Sequence, residues 1–188
     1  MAFWNSPLAD PKRKYRYKLT LFNGEVAWYV KSVSAPSYEI TSVEHAFSDH
    51  VFNFPGKIKW SDIEITLVDP AGSDDVVHKT LSLISLAGYE IPNADTLKSN
   101  RAFKTFTKQA LVESNGNMIL ETQNPEGATI EKWTLNNAFI TNVKFGDFDY
   151  SSDDMREISL TIKYDWASCE FGTGAGVSGD FFLPGSGT

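Results

Sequence analysis

Along most of this chain apolar and polar positions alternate, the period of strands buried on one face. The first unit turns at Asn23-Gly24, the dipeptide that best supplies a tight hairpin. Folding there pairs Leu21 with Val26, Leu19 with Trp28 and Tyr17 with Val30 on one face, and Thr20 with Ala27, Lys18 with Tyr29 and Arg16 with Lys31 on the other. Pro36 ends the unit. Tyr38, Ile40 and Ser42 then alternate with Glu39 and Thr41, and Phe52 and Phe54 alternate with Val51 and Asn53 before an expected turn at Pro55-Gly56. Beyond it Ile63, Ile65 and Leu67 share one face, while Asp62, Glu64 and Thr66 share the other. Ile58 and Trp60 keep the opposite phase. This change predicts a bulge, or a strand that leaves one packing environment for another.

The period becomes helical once. Asp69-Pro70-Ala71-Gly72 is turn chemistry, Ser73 suits an N-cap, Asp74 and Asp75 suit a first turn, and Gly88 suits a close, which predicts a helix over 74–87. At about 100° per residue Val76, Val77, Thr80, Leu81, Leu83, Ile84 and Ala87 fill one arc. Leu86 falls outside it with Lys79, Ser82 and Ser85, which suits a helix touched on a second side. A shorter helix is expected around 95–106, with Leu97, Ala102, Phe103 and Phe106 inward. Strands return after it. Gln109–Glu113 is read as leading through Asn115-Gly116 into Met118–Thr122, and Asn124-Pro125-Glu126-Gly127 as turning into Ile130–Leu135. Phe139, Thr141, Val143 and Phe145 alternate next. Last, Ile158, Leu160, Ile162, Tyr164 and Trp166 read as one long strand whose other side is Glu157, Ser159, Thr161, Lys163 and Asp165. The sum is mainly antiparallel β with one clear helix. After Cys169 the chain becomes Gly-rich, so 171–188 reads as a flexible tail, with Phe181–Leu183 as a small apolar patch able to dock on a surface.

Composition narrows the class. The 188 residues include 25 aromatics and are 41% hydrophobic, enough for a core that buries roughly 70% of the unfolded surface. A net charge of −7 is too modest for a disordered chain. No run of about 18 apolar residues exists, so no membrane-spanning helix is expected. The opening Met-Ala-Phe-Trp-Asn-Ser-Pro lacks a cationic region followed by an apolar one, so a secretory signal is not expected and a reducing cytoplasm is. The charge is split. Residues 1–18 carry five cations against Asp10, a net +4, whereas the rest carry 12 cations and 23 acids, a net −11. Such a body repels phosphate, so the basic arm is read as pairing with acidic surface on the same chain or a neighbour.

Candidate chemistry is thin. Gly174-Ala-Gly-Val-Ser-Gly179 spells a dinucleotide fingerprint, yet no helix pattern follows to receive the pyrophosphate. It also misses a nucleophile elbow by one position, because residue 180 is Asp. Glu44, His45, Asp49 and His50 contain metal-ligand types, but two histidines five apart on one strand would point to opposite sides. Asp147, Asp149, Asp153 and Asp154 do not follow a calcium-loop spacing and read as a solvated acidic turn or an interface. The single Cys169 excludes an intramolecular disulfide and is expected to pack. No nucleophile–base pair or cofactor site emerges.

A series of local patterns carries a resemblance. Met1-Ala-Phe-Trp-Asn-Ser-Pro, Glu44-His-Ala-Phe47 with His50 and Phe54-Pro-Gly56, and Ile63-Glu-Ile-Thr-Leu-Val-Asp-Pro70 come in that order. Trp133-Thr-Leu-Asn-Asn-Ala-Phe-Ile140, Phe145-Gly-Asp-Phe-Asp-Tyr150 and Ile162-Lys-Tyr-Asp-Trp-Ala167 follow. Over residues 1–170 the chain resembles the tail tube proteins of contractile-tailed, myovirus-type bacteriophages.

The resemblance implies one β-sandwich or partly rolled barrel over 1–170, flanked by the helix, with a basic arm at 1–18. It implies hexameric rings stacked into a tube inside a sheath, with tube initiator and terminator proteins as partners. DNA would pass through the lumen without specific binding, in a virion assembled in the host cytoplasm. Candidate lumen residues are Asp62, Glu64 and Thr66 with Glu157, Ser159 and Thr161, each set alternating with a packed apolar set. Candidate intersubunit residues are Trp60 at the phase break, Leu86 on the helix, and Arg13 and Arg16 of the arm against Asp147 and Asp149. A baseplate tube initiator or a type VI secretion ring protein would share the fold. A monomeric ligand-binding β-barrel is the alternative from another class, and it requires an enclosed apolar pocket.

Overall fold

A computed structural model describes residues 11–22, 24–89, 105–172 and 180–182. The first half contains β1 (Tyr17–Leu21), β2 (Glu25–Val26), β3 (Val30–Val33), β4 (Tyr38–Phe47), β5 (His50–Trp60), β6 (Ile63–Val68) and α1 (Val76–Leu86). The second contains α2 (Lys108–Asn115), β7 (Met118–Gln123), β8 (Thr129–Asn136), β9 (Phe139–Lys144), β10 (Glu157–Lys163), β11 (Trp166–Phe171) and β12 (Asp180–Phe181). They form a six-stranded sheet in the order β12-β11-β8-β7-β1-β2, a four-stranded sheet β3-β6-β10-β9, and a separate two-stranded ribbon β4-β5. Among the described residues none of these three sheets closes on itself, and the body is a partly rolled sandwich.

One buried cluster joins the two larger sheets. Ile63, Ile65 and Leu67 of β6 lie directly against Ile162, Leu160 and Ile158 of β10, and all six are essentially fully buried. Leu19, Met118, Leu120, Leu135 and Ala167 contribute from the six-stranded sheet, and Val76 from α1. The alternation read in β6 and β10 is therefore a real two-faced pattern, with its apolar side inward.

Several local expectations change. The connection after β1 spans residues 22–24, with Phe22 at φ 45° and Gly24 at φ 99°, and pairs Thr20 with Val26 and Leu21 with Glu25. This register differs by one residue from that of a two-residue turn, so every following side chain changes face. Ala27 and Tyr29 enter the core, while Trp28 is 70% exposed with its indole donating to Asp74 at 3.1 Å. β3 pairs with β6, not β1. α1 begins later than expected: Asp75 rather than Ser73 is the N-cap, accepting from the His78 amide at 2.7 Å. Its end is a Schellman closure at Gly88 (φ 99°), with the Tyr89 amide donating to the Ile84 carbonyl at 3.2 Å.

Lys108–Asn115 is a helix, where the sequence reads Gln109–Glu113 as a strand. Its caps decide this: the Thr107 hydroxyl accepts from the Ala110 amide at 3.1 Å, and Gly116 at φ 68° stops the helix. The expected helix over 95–106 falls outside the described residues up to 104, and Thr105 and Phe106 have no regular structure. The long final strand is two. It breaks at Tyr164-Asp165, and β10 and β11 belong to different sheets. Pro55-Gly56 is not a turn but lies inside β5.

Candidate assembly surfaces

The β4–β5 ribbon is the most unusual surface. Phe47 pairs with His50 across Ser48-Asp49, so ten and eleven residues run out and back, about 33 Å by strand rise. Every residue on it is exposed except half-buried Trp60. A bulge interrupts the pairing. Ile40 faces Ile58 and Ser42 faces Pro55, which leaves Thr41 opposite Gly56 and Lys57. The Thr41 hydroxyl accepts from the Lys57 amide at 2.9 Å and donates to the Lys57 carbonyl at 3.2 Å. A Cβ at residue 56 would overlap that hydroxyl and come within 2.9 Å of the Thr41 carbonyl oxygen, so glycine is required.

The bulge coincides with a change of apolar face. Near the root Tyr38, Ile40, Ile58 and Trp60 share one face; beyond the bulge Val43, Phe47, Phe52 and Phe54 share the other, together with His45 and His50. The chain reversal at Ser48-Asp49 puts both histidines on the same face, contrary to the single-strand expectation. Apolar residues uncovered on both sides of an isolated ribbon have no stabilising core of their own.

At the root an aromatic group fixes the ribbon to the body. Trp60 lies 5.4 Å from Tyr38, 5.8 Å from Tyr164 and 6.0 Å from Phe182, centroid to centroid. The expected tail patch therefore docks on its own chain: Phe181 pairs with Cys169 in β11 and meets the Phe171 ring edge-on. Leu183 lies outside the described residues. Burial pushes the Cys169 thiol and the Tyr164 hydroxyl above their ordinary pKa values. The phase change near Trp60 is thus explained, because Ser61 and Asp62 separate the exposed ribbon from the buried strand β6.

The outer face of the four-stranded sheet is polar. Glu64 stands opposite Thr161, and Thr66 opposite Ser159. The row extends to Ser32 on β3 and to Asn142 and Lys144 on β9. Glu157 lies on this same face and pairs with Lys31, a hydrogen bond that raises the Lys31 pKa. Asp62 sits at the margin, exposed in the break before β6. Five of the six proposed lumen residues thus share one surface.

The charged segments lie elsewhere. Lys12 pairs with Glu131, and Lys18 with Glu121 at 3.4 Å, so part of the basic arm neutralises the acids of its own sheet. Lys12, Arg13, Lys14 and Arg16 also rim a cavity of about 240 Å³ floored by Tyr17, Val33, Ala35 and Leu120. The loop between β9 and β10 is exposed throughout its acidic stretch. Asp149 accepts from the Ser151 amide at 2.9 Å and its hydroxyl at 2.8 Å, which lowers its pKa. Phe148 and Tyr150 project into solvent, and the Arg156 guanidinium lies 4.6 Å from the Phe148 ring. On α1, Leu86 is 75% exposed, and Leu81, expected inside, is also exposed. Among the described residues no group of three or more His, Cys, Asp or Glu side chains can hold a metal, and no helix is long and apolar enough to cross a membrane.

No family model and no curated protein sequence matches the chain. Solved structures do. It superposes on a chain of the anti-feeding prophage tube-terminating cap with a TM-score of 0.61 at 16% identity, over 91% of this chain and 99% of that one. For the sheath/tube terminator of the extracellular contractile injection system PVC, the TM-score is 0.59 at 16% identity, over 87% and 99%. For the PVC sheath–tube complex it is 0.57 at 17% identity, over 87% and 94%. The chain has a contractile-system tube-type fold.

Within this tube-type fold the structure separates the sequence-derived candidates. The polar face gathers Glu64, Thr66, Glu157, Ser159 and Thr161. Trp60 is used inside the chain at the ribbon root. Arg13 and Arg16 line the cavity at the basic arm, and Asp147 and Asp149 lie in the exposed loop between β9 and β10. Sequence reading missed the ribbon as a projecting surface. The signal was present, since the apolar set crosses from Tyr38 and Ile40 to Val43 and Phe47, which a strand lying on one core does not do.

Proposed function

We propose that this protein is a structural subunit of the inner tube of a contractile particle, of the bacteriophage-tail type, whose copies close into rings of six that stack into a conduit for DNA. One observation carries the reading: a body with a complete core extends a long ribbon whose apolar residues are uncovered on both faces. A second copy supplies the missing cover, and the edge strands β2, β3, β9 and β12 of the described sheets find partners in the same way. Sheath, tube-initiator and terminator proteins are the other partners of such a tube. Concentration-dependent sedimentation tests the reading; particles much larger than the monomer support it, and a monomer at all concentrations rejects it. The tube-terminating relatives in fold favour one second reading, a cap that forms a single ring. Stacked rings against lone rings distinguish the two.

In this account the polar sheet face lines the lumen, and its carboxylates are repeated around each ring so that DNA slides instead of binding. Changing Glu64→Lys together with Glu157→Lys should leave assembly intact and make tubes retain duplex DNA at low salt, which unsubstituted tubes do not. Tubes in which these residues face outward would remove the lumen assignment.

A further inference from the structure

We infer that the distal face of one copy's β4–β5 ribbon lies on the ribbon root of the next copy, tip on root from copy to copy; this rests on the self-assembly reading and names the surfaces that meet. The root is concave. Tyr38, Ile40, Ile58, Trp60, Trp166 and Phe182 line a cavity of about 430 Å³ there. Tyr38, Ile40, Ile58 and Phe182 are each about half exposed, so the aromatic group that fixes the ribbon leaves the cavity open. Its one charged lining residue, Asp165, already accepts from Lys108 at 2.5 Å and from Asn137 at 2.7 Å. What remains to be covered is therefore apolar. The distal face supplies the matching side chains, with Val43, Phe47, Phe52 and Phe54 all exposed. Phenyl rings entering the cavity meet its aromatic walls edge-on, as Phe182 already meets Trp60.

The bulge decides that the occupant is a second molecule. Gly56 and Lys57 stand opposite Thr41 alone, one residue more on β5 than on β4. That extra residue turns Phe52 and Phe54 to the side that Val43 and Phe47 take on β4. The root set and the distal set therefore point to opposite sides of one ribbon. Phe52 pairs with His45, five residues along β4 from Ile40, about 17 Å by strand rise. A ribbon cannot lay its own tip on its own root. Two copies pressed distal face to distal face about a two-fold axis would leave both root cavities open. Laying each tip on the next root covers both apolar sets with one contact between two different patches. Such a heterologous contact gives every copy one neighbour on each side, the kind that repeats around a ring.

Paired cysteines test this. Ile40→Cys with Phe52→Cys puts one thiol on the root and one on the distal face of the same chain. A disulfide needs Cα atoms within about 7 Å, which these positions reach only between copies. Oxidised while assembled, the double variant should give a ladder of linked chains on a denaturing gel, and reductant should collapse it. Each single variant should stay unlinked, and the two singles mixed should give dimers and nothing longer. Cys169 is buried and adds no bands. Ile58→Cys with Phe54→Cys repeats the test at an independent pair. Dimers from Phe52→Cys alone, or particles of both double variants that assemble without linking, would overturn the contact while leaving the tube reading intact. Hydroxyl-radical footprinting of the unsubstituted protein reads the same contact without thiols. Tyr38 and Ile58 should lose most of their reactivity on assembly together with Phe52 and Phe54; a protected distal set beside an open root would overturn the contact. A parent protein that never assembles would overturn both readings.

Discussion

Phe52→Ser together with Phe54→Ser should yield a folded monomer that no longer assembles. Both rings lie on the distal face of the β4–β5 ribbon, roughly half exposed and remote from the buried cluster. Removing them costs the isolated chain almost nothing in core packing, so its melting temperature should stay within about 3 °C of the parent. In an assembly the same rings are covered. Fully burying an exposed phenylalanine is worth about 1.5–3 kcal/mol, so covering two half-exposed rings contributes about 1.5–3 kcal/mol per contact, or one to two powers of ten in association. Closure of a ring multiplies that loss over every contact. Sedimentation of the variant beside the parent decides the matter: a variant that assembles normally would show that the ribbon is not an assembly element.

A second large effect concerns the register after β1. Tyr29→Ala should destabilise the protein by roughly 3–5 kcal/mol, the range for cutting a buried aromatic to alanine. Trp28→Ala should cost less than about 1 kcal/mol, because it loses an exposed ring and one surface hydrogen bond to Asp74. Urea unfolding monitored by circular dichroism reads both. Equal costs, or the reverse order, would restore the register in which Trp28 packs inward.

These two sites show what the sequence carried and what it did not. In β6 and β10 the apolar side chains are strictly alternate and fully buried, and the pairing face follows directly from Ile63, Ile65, Leu67, Ile158, Leu160 and Ile162. At Asn23-Gly24 alternation could not separate a two-residue from a three-residue connection, and one extra residue with positive φ inverted the face. For Lys108–Asn115 the capping residues Thr107 and Gly116 around good helix formers were the local evidence for a helix. Pro55-Gly56 looked like a turn because both residues favour turns, yet glycine is there to let Thr41 approach the bulge. The break between β10 and β11 left no mark in the pattern, since Tyr164 and Trp166 keep the alternation while the chain changes sheets.

The polar face was legible as a set, because its members alternate with core residues on adjacent strands. The ribbon was legible only in part: the apolar set changes face between Ile40 and Val43, but that both faces stay uncovered is a tertiary fact. The cavity at the basic arm is likewise tertiary. It needs Val33, Ala35 and Leu120 brought beside Lys12–Arg16 by three separate elements.

Electron microscopy of the concentrated, purified protein in negative stain tests the central claim most directly. Six-fold rings stacked into hollow tubes are the predicted result. A field of monomers at every concentration, with nothing larger than the single chain, would contradict it.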